Sequence, residues 1–596
     1  MIAVIDFGSQ YAHLIANRIR RLKVYAEILL PETPLEELKK YKGIILSGGP
    51  QSVYGEGSAT IDPGIFKLGV PILGVCYGHH LIAHLLGGKV ESGMTKEYGL
   101  AQLSIKKSSG LFAGISGETQ AWMSHGDTVT KIPPGFSIYG STADCLTAAM
   151  GDAKRRIFAV QFHMEVKHTK KGLLMLDNFL KLCKVERTWS MQKFMKRKLE
   201  EVKKMIGERK VFLLVSGGVD STVAYALLCK ALGPERVYGL SIDTGLLRKD
   251  EAKKTDALLK RAGIKNFHIY DAKKEFLSAL KGETDPEKKR AIIGTTFLEV
   301  QAKVAKKLKL NPDDWVLGQG TIYPDTIESK GTKHSDKIKT HHNRVPEILK
   351  LIEENKVIEP LAELYKDEVR ALGSRLGLPD EAVWKHPFPG PGLGVRILCT
   401  KKAVPVPNQA ELEKKINDHL ASHGLRGVIL PIQSVGVGGD SRSYKHPLVI
   451  WGKKQPWKKL ETLSTALTNR FTDINRVCLL LHPQEIHSVK VRPGTLTAPR
   501  IALAQELDDI VVTFTKREKI EDKVWQFPTV LLPIEVNGEV KEGVVLRPIC
   551  SDEAMTAHFY KMPLPLLEKC VKKLRQKASV VLYDITNKPP ATIEWE

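Results

Sequence analysis

Two strand-to-helix junctions, each punctuated by glycine, constrain this chain more than any other feature in it. The first is Gly74-Val75-Cys76-Tyr77-Gly78, which closes the apolar run 71–75. The second, about 140 residues later, is Ser216-Gly217-Gly218-Val219-Asp220-Ser221, which follows the apolar run 211–215. Runs this short and this apolar, bounded by Gly or Pro, predict strands buried on both faces of a parallel sheet. Further runs at 2–5, 43–46 and 157–162 accompany the first junction. Others at 237–242, 267–270 and 315–317 accompany the second. Between them lie helical stretches, 11–21 and 81–86 in the first set and 221–232 and 250–262 in the second, several stopped by Gly. The alternation predicts two doubly wound α/β domains.

The chain has 596 residues, too many for one core, so three or four domains are expected. A charged helix over 189–208 predicts a linker. The stretch 386–394, His-Pro-Phe-Pro-Gly-Pro-Gly-Leu-Gly, cannot be regular structure, because its prolines remove donors and break helices. Beyond it the texture becomes α+β. Residues 428–432 are echoed by 529–534, each followed by a Gly/Val-rich strand. Two related α+β subdomains and a chance likeness of Val/Ile-rich strands are both open on this pattern. The expected domains are 1–185, 186–400, 401–500 and 501–596.

Composition narrows the partners. Hydrophobic residues make 42% and charged residues 26%, as in a soluble globular protein. No apolar run reaches the ~18 residues of a membrane helix, and the N-terminus lacks a signal-peptide pattern, so no membrane partner and a cytoplasmic location are expected. The net charge of +23 favours anions, either nucleic acid or phosphorylated small molecules. With no RNA-binding signature or zinc finger, and aromatics at 7%, the expectation is small molecules and no nucleic acid. Eight cysteines contain no CxxC pair, which argues against zinc or a disulfide framework. Most should be buried and inert. Cys76 alone has a reactive context.

Gly-x-Cys-x-Gly after a strand is a nucleophile elbow. The helix that follows would lower the thiol pKa and supply N–H donors for an oxyanion. Gln161-Phe162-His163-Met164-Glu165 also follows a strand. In extended backbone His163 and Glu165 share a face, so the acid can orient the base that a cysteine nucleophile needs. With Ser47-Gly48-Gly49-Pro50 upstream, residues 1–185 resemble the class I glutamine amidotransferase domain. The resemblance implies that Cys76 attacks the glutamine amide and releases ammonia, with His163 as base and proton shuttle and Glu165 as its orienter. It implies oxyanion N–H groups from Gly49 and Tyr77. Ser124-His125-Gly126-Asp127 matches a family segment near the glutamine pocket. One position departs: the family usually has Gln four residues after the nucleophile, and this chain has His80.

The second junction lets backbone N–H groups and a helix dipole face an anion. It lacks the Gly-Lys-Ser/Thr of a Walker A loop. Its SGGxDS form resembles the pyrophosphate loop of the N-type ATP pyrophosphatases. Asparagine, argininosuccinate and NAD synthetases and tRNA thiolation enzymes share that loop. The segments 318–325, 339–343, 387–396 and 588–596 resemble those of the GMP synthetases instead, nearly end to end. The resemblance implies that ATP adenylates the 2-oxygen of XMP, and that ammonia then displaces AMP to leave GMP. It places ATP and pyrophosphate on Ser216, Gly217, Gly218, Val219, Asp220, Ser221 and Thr222, with Asp220 reaching Mg²⁺. It places XMP on Arg290, Asp440, Gln526, Lys588 and Glu594, and likens Lys339, His341 and His342 to a lid over the nucleotide, a buried structural role for them being equally open. The C-terminal region resembles the family's dimerisation domain in a longer version, so both a monomer and a homodimer are open. The second copy would then fill a partner's place.

Overall fold

The computed structural model describes residues 1–9, 11–55, 57–311, 313–330, 354, 356–438, 441–551 and 557–596. It divides into two compact units, one of 1–205 with 320–375 and the other of 206–319 with 376–596. This grouping cuts across the expected 186–400 domain. Among the described residues no helix is long and apolar enough to cross a membrane.

The first unit begins β1 (Ile2–Ile5), α1 (Ala12–Arg21), β2 (Ala26–Leu29), β3 (Ile44–Leu46), β4 (Ile72–Val75) and α2 (Tyr77–Leu85). Then follow β5 (Lys89–Ile105), β6 (Glu118–Lys131), β7 (Ser137–Ser141), β8 (Ala149–Asp152), β9 (Ile157–Val160) and α3 (Gly172–Leu182). They build one sheet in the order β2-β1-β3-β4-β9-β8-β7-β5-β6. The pairs from β2 through β9 are parallel; those from β9 to β6 are antiparallel. The central strands are apolar throughout because both faces are covered. Ile2 and Val4 pack with α1 and α3 on one side, while Ala3 and Ile5 pack with Tyr77 and Ile82 on the other.

Residues 320–375 join this unit through a buried arginine on α1. Arg20 Nη1 donates to Glu368 Oε2 at 3.2 Å, from the helix Lys366–Arg375. The same guanidinium lies 4.7 Å from the rings of Tyr25 and Tyr323, 5.0 Å from Tyr365 and 5.4 Å from Trp189. A buried cation is tolerable here because it has both a carboxylate and aromatic faces.

The helix α4 (Met191–Ile206) lies in the first unit but for its last residue, and the second unit then runs β10 (Lys210–Leu214), α5 (Val219–Leu232), β11 (Val237–Asp243), α6 (Glu251–Arg261), β12 (Phe267–Asp271), α7 (Pro286–Lys307) and β13 (Trp315–Gly318). These strands run parallel in the order β12-β11-β10-β13. The chain leaves β10 toward β11 on one side, and β13 joins on the other. The carboxyl end of β10 is therefore a topological switch point, where doubly wound sheets bind ligands. The proline-glycine stretch is irregular, as expected, apart from one 3₁₀ turn at Gly392–Val395. Leu393 N–H donates to Leu246 O at 2.7 Å, which ties the stretch to the loop after β11.

The C-terminal part of this unit holds α8 (Gln409–Ala421), β14 (Leu425–Ile429), β15 (Ser441–Gly452), α9 (Trp457–Arg470) and β16 (Ile474–His482). It continues with α10 (Ala498–Arg517), β17 (Thr529–Leu532), β18 (Gly543–Leu546), α11 (Leu564–Leu574) and β19 (Val580–Asp584). The two lists follow the same α-β-β-α-β plan. Their sheet order, β14-β15-β16-β19-β18-β17, reads the same from either edge. So does the sense of pairing: antiparallel, parallel, antiparallel at the centre, parallel, antiparallel. The seam between the halves is β16 on β19. Beside it Arg476 and Arg547, both fully buried, bind one carboxylate, Asp584 Oδ2, at 2.9 and 2.8 Å.

Candidate active sites

Cys76 sits between β4 and α2 with φ 54° and ψ −103°. A β-carbon on Gly74 would lie 2.4 Å from Gly78 O, and one on Gly78 would lie 2.2 Å from Leu46 O. Only glycine fits at either place, and that tightness holds the cysteine in its strained turn. Burial pushes the thiols of Cys183, Cys229 and Cys570 up to about 12, which leaves them inert at neutral pH.

His163 follows β9, next to β4 in the sheet. Its Nδ1 lies 2.6 Å from Glu165 Oε1, and both side chains are buried. Burial works against a charged ring, but the Glu165 carboxylate and Cys76 outweigh it and raise the His163 pKa to about 10. The backbone of Glu165 is held by Arg18 Nε, which donates to its carbonyl at 3.0 Å. A β-carbon on Gly48 would sit 3.5 Å from His163 Cε1, and one on Gly49 would sit 3.1 Å from Tyr77 Cγ. The structure therefore gathers Gly49, Cys76, Tyr77, His163 and Glu165. Sequence reasoning passed over Gln161, whose Nε2 lies 4.0 Å from Cys76 Sγ. The loop 124–127 borders the same site, since Ser124 O lies 3.6 Å from Cys76 Sγ.

In the second unit the loop Ser216–Ser221 leaves the carboxyl end of β10 and enters α5. Gly217 has φ 77°, and a β-carbon there would meet Thr255 Oγ1 at 2.9 Å. The loop is braced from within. Ser216 N–H donates to Ser221 Oγ at 3.2 Å, and Gly218 N–H donates to Ser216 Oγ at 3.3 Å. Asp220 stands in the first turn of α5. Lys385, which sequence reasoning did not single out, donates to Gly217 O at 3.0 Å and pairs with Glu251 at 2.6 Å. Burial would raise the Glu251 carboxyl, yet Lys385 holds it below the ordinary range. The only signal for Lys385 was its place at the head of the proline-glycine stretch.

The residues expected to hold XMP are gathered only in part. Arg290, on α7, donates to the backbone O of Glu596. Its neighbour Lys289, fully buried, donates to Gly394 O at 2.9 Å and pairs with the Glu596 carboxylate. Glu594 is bound at both oxygens by Arg396, at 2.9 and 3.0 Å. Arg396 also lies over the Phe388 ring at 5.0 Å, as Arg248 does at 4.8 Å. Gln526 is buried, and its Oε1 has no hydrogen-bond partner among the described residues. Lys588 is half-buried and pairs through its backbone with Ala557. Asp440 and the expected lid of Lys339, His341 and His342 lie outside the described residues.

Together these features define a glutamine amidotransferase fused to an ATP-using synthetase. The family profiles agree: glutamine amidotransferase class-I over 3–183, NAD synthase over 189–305 and GMP synthase C terminal domain over 514–595. A Leptospira interrogans protein carrying the name "Probable GMP synthase [glutamine-hydrolyzing]" is 48% identical over 100% of this chain and 99% of its own. GMP synthase [glutamine-hydrolyzing] of Aquifex aeolicus is 39% identical over 100% of this chain and 99% of its own. That of Clostridium novyi is 43% identical over 80% of this chain and 96% of its own. The chain belongs to the glutamine-hydrolysing GMP synthase family. It is a ligase of that kind: ATP adenylates XMP at O2 with release of pyrophosphate, and ammonia from glutamine displaces AMP to give GMP.

Proposed function

We propose that Cys76, His163 and Glu165 run the glutaminase half of this reaction, and that the loop 216–222 runs the adenylation half. The observation that carries the reading is the buried His163–Glu165 pair, 2.6 Å apart, beside a cysteine in a strained elbow. The His163 imidazolium favours the Cys76 thiolate, which attacks the glutamine amide carbon. The developing oxyanion meets the N–H groups of Gly49 and Tyr77. His163 gives its proton to the departing ammonia, then takes one from the water that hydrolyses the thioester to glutamate.

In the other half, Ser216, Gly217, Gly218, Val219, Ser221 and Thr222 cradle the pyrophosphate of ATP at the start of α5. Lys385 fixes the loop. Asp220, in the first turn of α5, offers a hard carboxylate oxygen of the kind that suits Mg²⁺, and an ion held there would supply charge neutralisation for the leaving pyrophosphate. XMP is assigned to Arg290 and Lys588 for its phosphate, and to Asp440, Gln526 and Glu594 for ribose and base edges, with Arg396 holding Glu594 in place. The domains are taken as 1–185 amidotransferase, 186–400 ATP pyrophosphatase, and 401–500 and 501–596 as duplicated α+β subdomains. The partners are small molecules alone, without nucleic acid or membrane, the location is cytoplasmic, and the chain acts as a monomer.

Two variants separate the halves. Cys76→Ala should abolish glutamine-dependent GMP formation and leave ammonia-dependent formation intact. Loss of both together would refute the nucleophile. Asp220→Ala should stop XMP-stimulated pyrophosphate release while a basal glutaminase persists, and unchanged release would refute the metal role.

A further inference from the structure

Behind Cys76 lies a buried polar cluster that the two half-reactions do not use. His79 and His80 are the third and fourth residues of α2. Gln161 follows β9 directly. All three are buried, with exposures of 0%, 4% and 0%. The parallel pairing of β4 with β9 sets Val75 opposite Val160, so Cys76 and Gln161 leave neighbouring strands at the same level. Cys76 N–H donates to Val160 O at 2.9 Å. His79 and His80 already grip the cysteine through the backbone, their N–H groups donating to Cys76 O at 3.0 and 3.2 Å. Their rings converge on Gln161 Oε1, from His79 Nδ1 at 3.1 Å and from His80 Nε2 at 2.6 Å.

This fixes the chemistry of the amide. An amide nitrogen donates and an amide oxygen accepts. In the tautomers that carry the proton on His79 Nδ1 and His80 Nε2, both rings donate to Oε1 and the NH₂ faces Cys76 Sγ at 4.0 Å. The reversed amide would press a carbonyl oxygen against a thiolate. We propose that Gln161 stabilises the Cys76 thiolate through its amide N–H, and that His79 and His80 are positioning residues that hold the amide in that orientation. At position 80 the ring is thus turned inward onto Gln161. The proposal rests on Cys76 being the nucleophile.

Other titratable groups face the cluster: His163 and Glu165 at Cys76, and His125 and Asp127 at His80. Burial lowers the His80 pKa to about 4 and takes His79 well below 6.5. Both rings are neutral near pH 7 and act as N–H dipoles, not as charges.

The test is the pH dependence of Cys76 alkylation by iodoacetamide in the full chain, read by peptide mass. Gln161→Leu should move the midpoint upward by about half a unit to one unit, as expected for a lost hydrogen bond to a charged group. Glutaminase kcat should fall while KM for glutamine changes little. His80→Leu should give the same upward shift, and the double variant should go no further. His80→Gln keeps a donor for Oε1 and should keep the wild-type midpoint. Ammonia-dependent GMP formation reports an intact fold in each case. An unchanged midpoint in Gln161→Leu, or additive shifts in the double variant, overturns the proposal. Should Gln161→Leu not fold, an unchanged midpoint in His80→Leu overturns it alone. If instead Cys76→Ala retains glutaminase activity, the nucleophile reading has failed, a separate result.

Discussion

At the scale of single residues, the side chains proposed to be catalytic could be picked out because their pattern is local. Cys76 lies between two glycines, and His163 and Glu165 lie two apart on extended backbone. Gln161, His79 and Lys385 were not legible, because their roles come from strand register and loop docking, which spacing along the chain does not encode. The His163–Glu165 pair makes a prediction in pH. The folded pKa of His163 is raised from 6.5 to about 10. A raised pKa contributes stability that is complete below the unfolded value and is lost as pH rises through the folded one. Glu165→Gln should therefore melt lower than the wild type, with the largest deficit below pH 6.5 and a closing gap toward pH 10. A deficit that grows with pH would reverse the assignment. The same variant should slow glutamine hydrolysis by about 10²- to 10⁴-fold, since it removes the group that orients the base.

At the scale of elements, the parallel strands were readable because burial on both faces writes them as unbroken apolar runs. β5 and β6 escaped notice because they are half-exposed. Along β6, from Glu118 to Gly126, buried residues alternate with exposed or half-buried ones, a period-two signal hidden among polar side chains. The proline-glycine stretch was rightly expected to be irregular, but its docking partner was not visible. Gly392 has φ 62°, and a β-carbon there would stand 2.3 Å from Leu246 O. Gly392→Ala should cost about 1–3 kcal/mol locally and lower XMP-dependent pyrophosphate release several-fold while leaving glutaminase activity alone. Equal loss of both activities would show global unfolding, and unchanged pyrophosphate release would free the stretch of any role in adenylation.

At the scale of the whole molecule, the echo between 428–432 and 529–534 pointed to a repeat, and β14 and β17 occupy matching edges of one sheet. The assignment of 320–375 to the first unit was not legible, since it depends on Arg20 meeting Glu368 across about 350 residues of chain. The β16–β19 seam covers a strand edge that each half would otherwise leave open to a partner. Light scattering should accordingly give a monomer mass near 66.3 kDa, and a stable species of twice that mass would defeat the monomer proposal. The seam has an evolutionary consequence as well. In a symmetric dimer every substitution appears twice and must suit both sides of the axis at once. Joined in tandem, the two halves drift separately. Arg476 and Arg547 sharing the single carboxylate of Asp584 is an arrangement that a true twofold axis would have duplicated or forbidden. Copies joined in this way can specialise separately, and here the segment carrying Lys588 and Glu594 belongs to the second half alone.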